Sequence, residues 1–426
     1  MSFDFDQATQ QYFEKIFIPR NISNWNEWFQ LESIEEYKNY ALRNSGLDSV
    51  EDLWIKLNHV EMDSKDFSIE KNDFIESYSE SHPLILCHSS GTTNNDLSAL
   101  KWFHISEDVI KRYWAPGMRA IFESSGLDSK GSALIFVPSR LKTDGMNKLD
   151  GKEYCSLYSS EFSQRVMLST IKPESYLLNE YKTSRSLSTI SEMLSMDRVS
   201  VISAPALTIL GWANYEKLKT GIQKSLSSME EFDINPVLEE LLKKIEKEGL
   251  NTATKIIQKN LSDKLSQATI IFSISSLSEQ NWNLIRKFMN WEKGKEKFTN
   301  LYVASEIGPI ASSLGDQDVA KSNSMYVFPL FLPMIKYKGK FEFIANSSHK
   351  TGKLLISKTD KGRVLLNINI GDVISTKDQV LLPQINGKIL RSSFKLKYQI
   401  KLHDSIKLGP EYAVYAGDYF ECTNFD

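Results

Sequence analysis

Between Leu84 and Ala304, short apolar runs rich in β-forming residues recur with helix-sized stretches between them, and that alternation admits few folds. The runs occupy residues 84–87, 133–137, 199–203, 269–274 and 300–304. Strands separated by helices predict βαβ units and mostly parallel sheets flanked by helices, because parallel neighbours need a long crossover connection. After Gly308 the spacing changes, and residues 325–332, 340–345, 353–357 and 363–370 read as antiparallel strands. In the last of these Leu366, Ile368 and Ile370 alternate with Asn367 and Asn369, the pattern of a half-buried strand ending at Gly371-Asp372. The expected organisation is a helical N-terminal lead-in over 1–80, an α/β core over 81–310, a β-rich subdomain over 311–385 and a short C-terminal remnant over 386–426. Asn235-Pro236 predicts a helix start, with Leu238, Leu241, Leu242 and Ile245 following at helical spacing and charged residues on the opposite, solvated face.

Bulk composition narrows the function classes. A chain of 426 residues with 41% hydrophobic and 25% charged residues has the make-up of a folded globular protein. With 51 basic and 54 acidic residues the net charge is -3, which gives no global attraction to nucleic acid or to an anionic membrane surface. No window has the apolar length of a membrane span, and the start MSFDFDQATQ lacks the parts of a signal peptide, so a cytoplasmic location is expected. Cys87, Cys155 and Cys422 are far apart, and the six histidines show no paired spacing. That composition offers neither a disulfide framework nor a protein-built transition-metal centre.

Three motifs carry the chemistry. The first follows the run 84–87: Ser89-Ser90-Gly91-Thr92-Thr93, where a glycine lets the backbone approach an anion and hydroxyls donate to phosphate oxygens. An ordinary Ser/Thr/Gly turn has the same composition. The second is LYVASEIGP over 301–309, which sets Ser305 and Glu306 at a strand exit, where a carboxylate beside a hydroxyl can hold Mg²⁺ on a nucleotide phosphate. The third is Gly371-Asp372, whose carboxylate is suited to accept hydrogen bonds from ribose hydroxyls. Taken singly, Glu306 and Asp372 also read as surface turn residues.

In this order the motifs resemble those of the adenylate-forming superfamily, most closely its phenylacetate-CoA ligase-like branch, over roughly residues 30–400. Ser89 to Thr93 resemble the phosphate loop, Tyr302, Ser305 and Glu306 the Y-G-x-T/S-E signature, and Gly371-Asp372 the TGD motif. Ser203-Ala204-Pro205 resembles the small-residue turn upstream of the adenine region. The resemblance implies the family's large α/β N-terminal domain, ATP and Mg²⁺ as cofactors, a carboxylic acid substrate, and CoA, a carrier or acceptor protein, or an amine as acyl acceptor. It assigns Ser89, Ser90, Gly91, Thr92 and Thr93 to the β- and γ-phosphates, Ser305 to the α-phosphate and Glu306 to Mg²⁺. Tyr302 falls near the adenine and Asp372 at the ribose.

Departures from the pattern are specific. Asn94-Asn95-Asp96 replace the loop's usual Gly and Lys, which leaves Lys101 as the nearest downstream cation. Ile274-Ser275-Ser276 lacks the acidic residue of the adenine turn, and only 54 residues follow Asp372. The short layout is also similar to the acyl-protein synthetases of luciferase systems, which hand the acyl group to their own cysteine. Cys422 stands at the corresponding end of the chain, without a cationic neighbour in sequence to raise its thiolate fraction. The alternative expectation is a catalytically degenerate member that binds nucleotide or acyl groups or acts as a scaffold.

Overall fold

The computed structural model describes residues 9–11, 13, 34–45, 61–63, 66, 68, 84–89, 100–114, 117–118, 121, 130–138, 140–141, 143–149, 151–228, 235–272, 279–313, 324–328, 331–344, 350–360, 363–376, 384–385, 388–389 and 399–403. The strands are β1 (Met62–Asp63), β2 (Ile85–His88), β3 (Trp102–His104), β4 (Ser132–Val137), β5 (Gly145–Leu149), β6 (Lys152–Tyr158) and β7 (Ser175–Glu180). They continue as β8 (Val199–Ser203), β9 (Thr269–Phe272), β10 (Phe298–Ala304), β11 (Gly308–Ser312), β12 (Ser324–Val327) and β13 (Leu332–Tyr337). The last are β14 (Lys340–Phe343), β15 (Thr351–Asp360), β16 (Arg363–Thr376), β17 (Gln384–Ile385), β18 (Lys388–Ile389) and β19 (Gln399–His403).

The architecture is α/β, as the alternation predicts. Among the described residues a 13-stranded sheet runs β14-β13-β15-β16-β19-β12-β11-β10-β9-β8-β4-β7, with β1 beside β16. From β7 to β10 every pairing is parallel, and from β10 onward the ladder is antiparallel. A separate sheet, β3-β2-β6-β5, pairs β2 with β6 in parallel and closes on two antiparallel neighbours.

Strand alternation divides the core. On β4, Ala133, Ile135 and Val137 face one hydrophobic cluster while Leu134 and Phe136 face another. The second cluster is covered by helices including Leu187–Ser195, Ala206–Ala213, Pro236–Glu248, Leu250–Leu265 and Glu279–Met289. The first is shared with the inner face of the four-stranded sheet (Ile85, Cys87, Cys155, Leu157) and with the Ser159–Ile171 helix. That helix is sandwiched between sheets, which explains why its polar residues are buried along with its apolar ones.

Several local expectations hold. The strand over 199–203 is β8, and Asn235 caps its helix by accepting from Leu238 N at 2.8 Å, with Pro236 in the first turn. Beyond these, Trp212 and Phe328 lie in the core: Trp212 is fully buried, donates from its indole nitrogen to Ser184 O at 2.9 Å and meets Phe136 edge to face. Two expectations need correction. The strand over 363–370 does not end at Gly371-Asp372 but continues through both residues to Thr376, because a bulge absorbs them inside the ladder. Residues 269–274 give a strand only over Thr269–Phe272 within the described region. The weakly apolar stretches that form β3, β5, β6 and β7 carry no strand signal of their own; pairing partners make them strands.

A buried charge network ties the N-terminal segment to this frame. Glu161 accepts from Arg165 at 2.7 Å and from Arg140 through two nitrogens at 2.8 and 2.9 Å. Arg165 reaches Gln10 Oε1 at 3.5 Å, and Gln10 Nε2 donates to Ser169 Oγ at 3.2 Å. Burial alone would raise the Glu161 carboxyl, but Arg165 and Arg140 hold it below the usual carboxylate range. Its contribution to stability is therefore present above the ordinary carboxylate pKa and is lost as pH falls through the lowered value. Among the described residues no helix is long and apolar enough to cross a membrane. Glu161→Gln leaves Arg165, fully buried, with its charge uncompensated, and is expected to cost about 3 kcal/mol in urea unfolding. A loss of under about 0.5 kcal/mol, the range of ordinary surface changes, would show that the network is not structural.

Candidate functional site

The hydroxyl-rich segment leaves the four-stranded sheet where β2 and β3 pair antiparallel. Ser89 N donates to Lys101 O at 2.9 Å and Lys101 N donates to Ser89 Oγ at 3.1 Å, so the two stems are clamped across the hairpin. The Lys101 ammonium stands 3.8 Å from Asp63. Ser90, Gly91, Thr92 and Thr93 lie outside the described residues, as do Asn94 to Asp96, Ile274 to Ser276 and Cys422.

Ser305 and Glu306 form the turn between β10 and β11, closed by Ile307 N donating to Ala304 O at 3.1 Å. Gly308 has φ +110, and a Cβ there would come within 2.9 Å of Trp114 Nε1, so this turn needs glycine for conformation and for space. Two partners that sequence spacing does not reveal hold the turn. Ser305 Oγ is 2.7 Å from Ser159 Oγ, at the start of the Ser159–Ile171 helix, whose N-cap residue Tyr158 supplies no side-chain cap. Ser305 thus sits beside the positive end of a helix dipole, a favourable place for an anion. From the other side Lys358, only 5% exposed on β15, donates from Nζ to Glu306 O at 2.7 Å. A lysine is seldom buried to this degree, and this one brings a cation to the turn that the loop sequence after Thr93 fails to supply.

Asp372 is placed by the bulge in β16. Lys353 pairs with Val373 and Leu355 with Asn369, so two steps along β15 span four along β16. Gly371 takes φ +89 within the bulge, and its N–H donates to Asn369 Oδ1 at 2.9 Å. Asn369 Nδ2 in turn donates to Glu61 Oε1 at 2.6 Å, and Lys336, bonded to the same carboxylate, holds the Glu61 carboxyl below its usual range. The bulge is therefore anchored to the segment that carries β1.

Tyr302, 4% exposed on β10, donates its hydroxyl to Asp372 Oδ2. β16 stands four ladder steps from β10, roughly 19 Å across a flat sheet. The contact requires the antiparallel part of the sheet to curl until its far strand meets β10 again. Burial pushes the Asp372 carboxyl above the usual carboxylate range; the Tyr302 hydrogen bond offsets part of this and the Glu306 charge adds to it.

These contacts form one chain. Ser89 follows His88, whose ring lies 5.3 Å from that of Tyr158; Tyr158 precedes Ser159, which touches Ser305; Glu306 and Tyr302 act on Asp372. The structure therefore brings together Tyr302, Ser305, Glu306 and Asp372 from two separate motifs, and links Ser89 to them only through the His88–Tyr158 ring contact. Such an arrangement can receive an elongated anion against hydroxyls, a helix end and a buried ammonium, with carboxylates for hydroxyl groups or a metal. Among the described residues no group of three or more His, Cys, Asp or Glu is arranged to hold a metal ion.

Because the folded state raises the Asp372 value, the protonated form is favoured: its stabilising contribution is present below the ordinary aspartate pKa and is lost as pH rises through the raised value. Asp372→Asn is expected to raise the melting temperature relative to the native chain at about pH 8 by more than at about pH 4. Tyr302→Phe, which removes the offsetting hydrogen bond, should move the Asp372 titration further upward in a carboxyl-carbon NMR experiment. A melting difference that is the same at both pH values would refute the assignment.

No family model and no curated protein matches the chain. Solved structures do. An amide bond synthetase, McbA from Marinactinospora thermotolerans, matches at 11% identity and TM-score 0.40 over 75% of this chain and 48% of its own. ATP-bound MatB from Rhodopseudomonas palustris matches at 9% identity and TM-score 0.41 over 74% and 47%. A GH3.15 acyl acid amido synthetase matches at 13% identity and TM-score 0.45 over 93% and 68%. The chain spans about half the length of the first two.

Proposed function

We propose that the chain activates a carboxylic acid with ATP to an acyl-adenylate and passes the acyl group to a thiol, of CoA or a carrier or acceptor protein, or to an amine. The observation that carries this reading is the meeting of Tyr302, Glu306 and Asp372, with Ser305 held at the same turn by Ser159. In the reaction a carboxylate oxygen of the acid bonds to the α-phosphorus as the bond to pyrophosphate breaks. Such chemistry depends on positioning and on neutralising phosphate charge. Ser305, beside the helix start at Ser159, would hold the α-phosphate. Glu306 would hold Mg²⁺, which when bound neutralises phosphate charge. Lys358 would keep the turn that carries both residues in place. Asp372, oriented by Tyr302, would accept from ribose hydroxyls.

For the acceptor, the fold argues against an internal thiol at Cys87 or Cys155. Both are fully buried, and burial pushes both thiols up, away from the reactive thiolate. An external thiol or amine is the simpler acceptor.

The test is ATP–pyrophosphate exchange over a panel of aryl, fatty and amino acids, with hydroxamate trapping of the product. Glu306→Ala and Asp372→Ala are each expected to lower exchange by about 100-fold, the size found when a single charge-stabilising group is removed. Lys358→Met should lower it as well, and Lys358→Arg should retain part of it. Saturable Mg-ATP binding by calorimetry without exchange for any acid would instead support the binding-module alternative. Nucleotide binding that neither Ala substitution affects would sink the proposed site.

A further inference from the structure

We infer that His88 and Asp144 form a buried positioning pair that fixes Ser89, an assignment that rests on the nucleotide reading above. His88 is the last residue of β2 and Asp144 directly precedes β5; the sequence separates them by 56 positions and the four-stranded sheet brings them together. Their side chains are 2% and 0% exposed. His88 Nδ1 lies 3.0 Å from Ser89 O, and a backbone carbonyl can only accept, so Nδ1 carries the hydrogen of that bond. Nε2 lies 3.1 and 3.3 Å from the two Asp144 oxygens. Asp144 Oδ2 also accepts from Leu141 N at 2.8 Å, which fixes the carboxylate against the chain that leads into β5.

The ring itself cannot turn. Trp102 packs at 4.9 Å between centroids and Tyr158 at 5.3 Å, so rotation about the ring axis would lose two hydrogen bonds and clash with aromatic neighbours. Ser89 is consequently fixed at all three of its polar groups: its carbonyl by His88, and its N–H and hydroxyl by Lys101. The position of Ser89 is set by these bonds before any ligand arrives. Preorganisation of this kind is worth most where the loop must meet charge with several hydrogen bonds at once. Tyr158 stands between His88 and Ser159, the partner of Ser305, so the same packing ties the loop root to the turn bearing Glu306.

The pair touches no nucleotide atom itself; it acts through Ser89. Its predicted signature is selective: ligands that need the loop suffer, and ligands that do not are spared. Calorimetric titration of the full chain with Mg-ATP and, separately, with AMP reads this directly, because AMP lacks the β- and γ-phosphates. His88→Phe keeps a ring but removes both hydrogen bonds, and Asp144→Ala releases the ring. Each is expected to weaken Mg-ATP at least tenfold while changing AMP less than twofold. Asp144→Asn retains an acceptor for Leu141 N and a donor for His88 Nε2, and should restore Mg-ATP binding to within about threefold of the native chain. If His88→Phe fails to fold, Asp144→Ala against Asp144→Asn gives the same comparison. Equal weakening of Mg-ATP and AMP, unchanged Mg-ATP binding, or Asp144→Asn as weak as Asp144→Ala would each overturn the inference. A native chain that binds Mg-ATP but shows no exchange would count against the proposed reaction and leave this comparison decisive; one that binds no Mg-ATP overturns both.

Discussion

β10 joins the two halves of the main sheet, pairing in parallel with β9 on one side and antiparallel with β11 on the other, and the geometry of the candidate site follows from that. A parallel strand ordinarily leads into a helix on one face of the sheet. Here β10 reverses at once through Ser305-Glu306-Ile307 into β11, because Gly308 adopts a left-handed conformation under the Trp114 indole. The turn projects from the junction between two kinds of sheet. Everything that later meets it, the Ser159 hydroxyl, the Lys358 ammonium and the Asp372 carboxylate, arrives from a different part of the chain.

The junction also explains why the antiparallel part must curl. Tyr302 stays on the strand shared by both parts, and its hydroxyl meets Asp372 from a strand several places along the ladder. Two bulges in the β15–β16 pairing, with Asn367 at φ +46 in one and Gly371 at φ +89 in the other, supply extra local twist. The Asp372 carboxyl is buried there and near a like charge at Glu306, a strain common where ionisable groups serve a ligand.

Charge in the site is balanced by groups remote in sequence. The loop after Thr93 lacks the cation expected there, and the structure provides Lys358, bound to the backbone of Glu306. Lysine on a long flexible stem can serve from a neighbouring strand in this way, whereas a loop lysine serves locally. Next to Ser89, His88 and Asp144 fill the end of the four-stranded sheet with a satisfied polar pair rather than an apolar plug. Fully bonded polar pairs in a core fix direction as well as packing, and here the direction is that of Ser89.

The sequence by itself determined whatever depends on neighbours along the chain. The apolar run at 199–203, the Asn235 cap and the place of Ser305-Glu306 at a strand exit all follow from period, capping and turn chemistry within a few residues. The α/β class and the ordered motifs were legible for the same reason. Only the tertiary structure decided that Asp372 sits in a bulge rather than past a strand end, that Ser159 meets Ser305 across 146 positions, that Lys358 reaches Glu306, and that Asp144 holds His88. Those contacts join residues whose local patterns are unremarkable for a serine, a lysine or an aspartate. They arise from register and sheet curvature, which local periodicity does not encode, because a strand's pattern states which face is buried and not which strand it will meet.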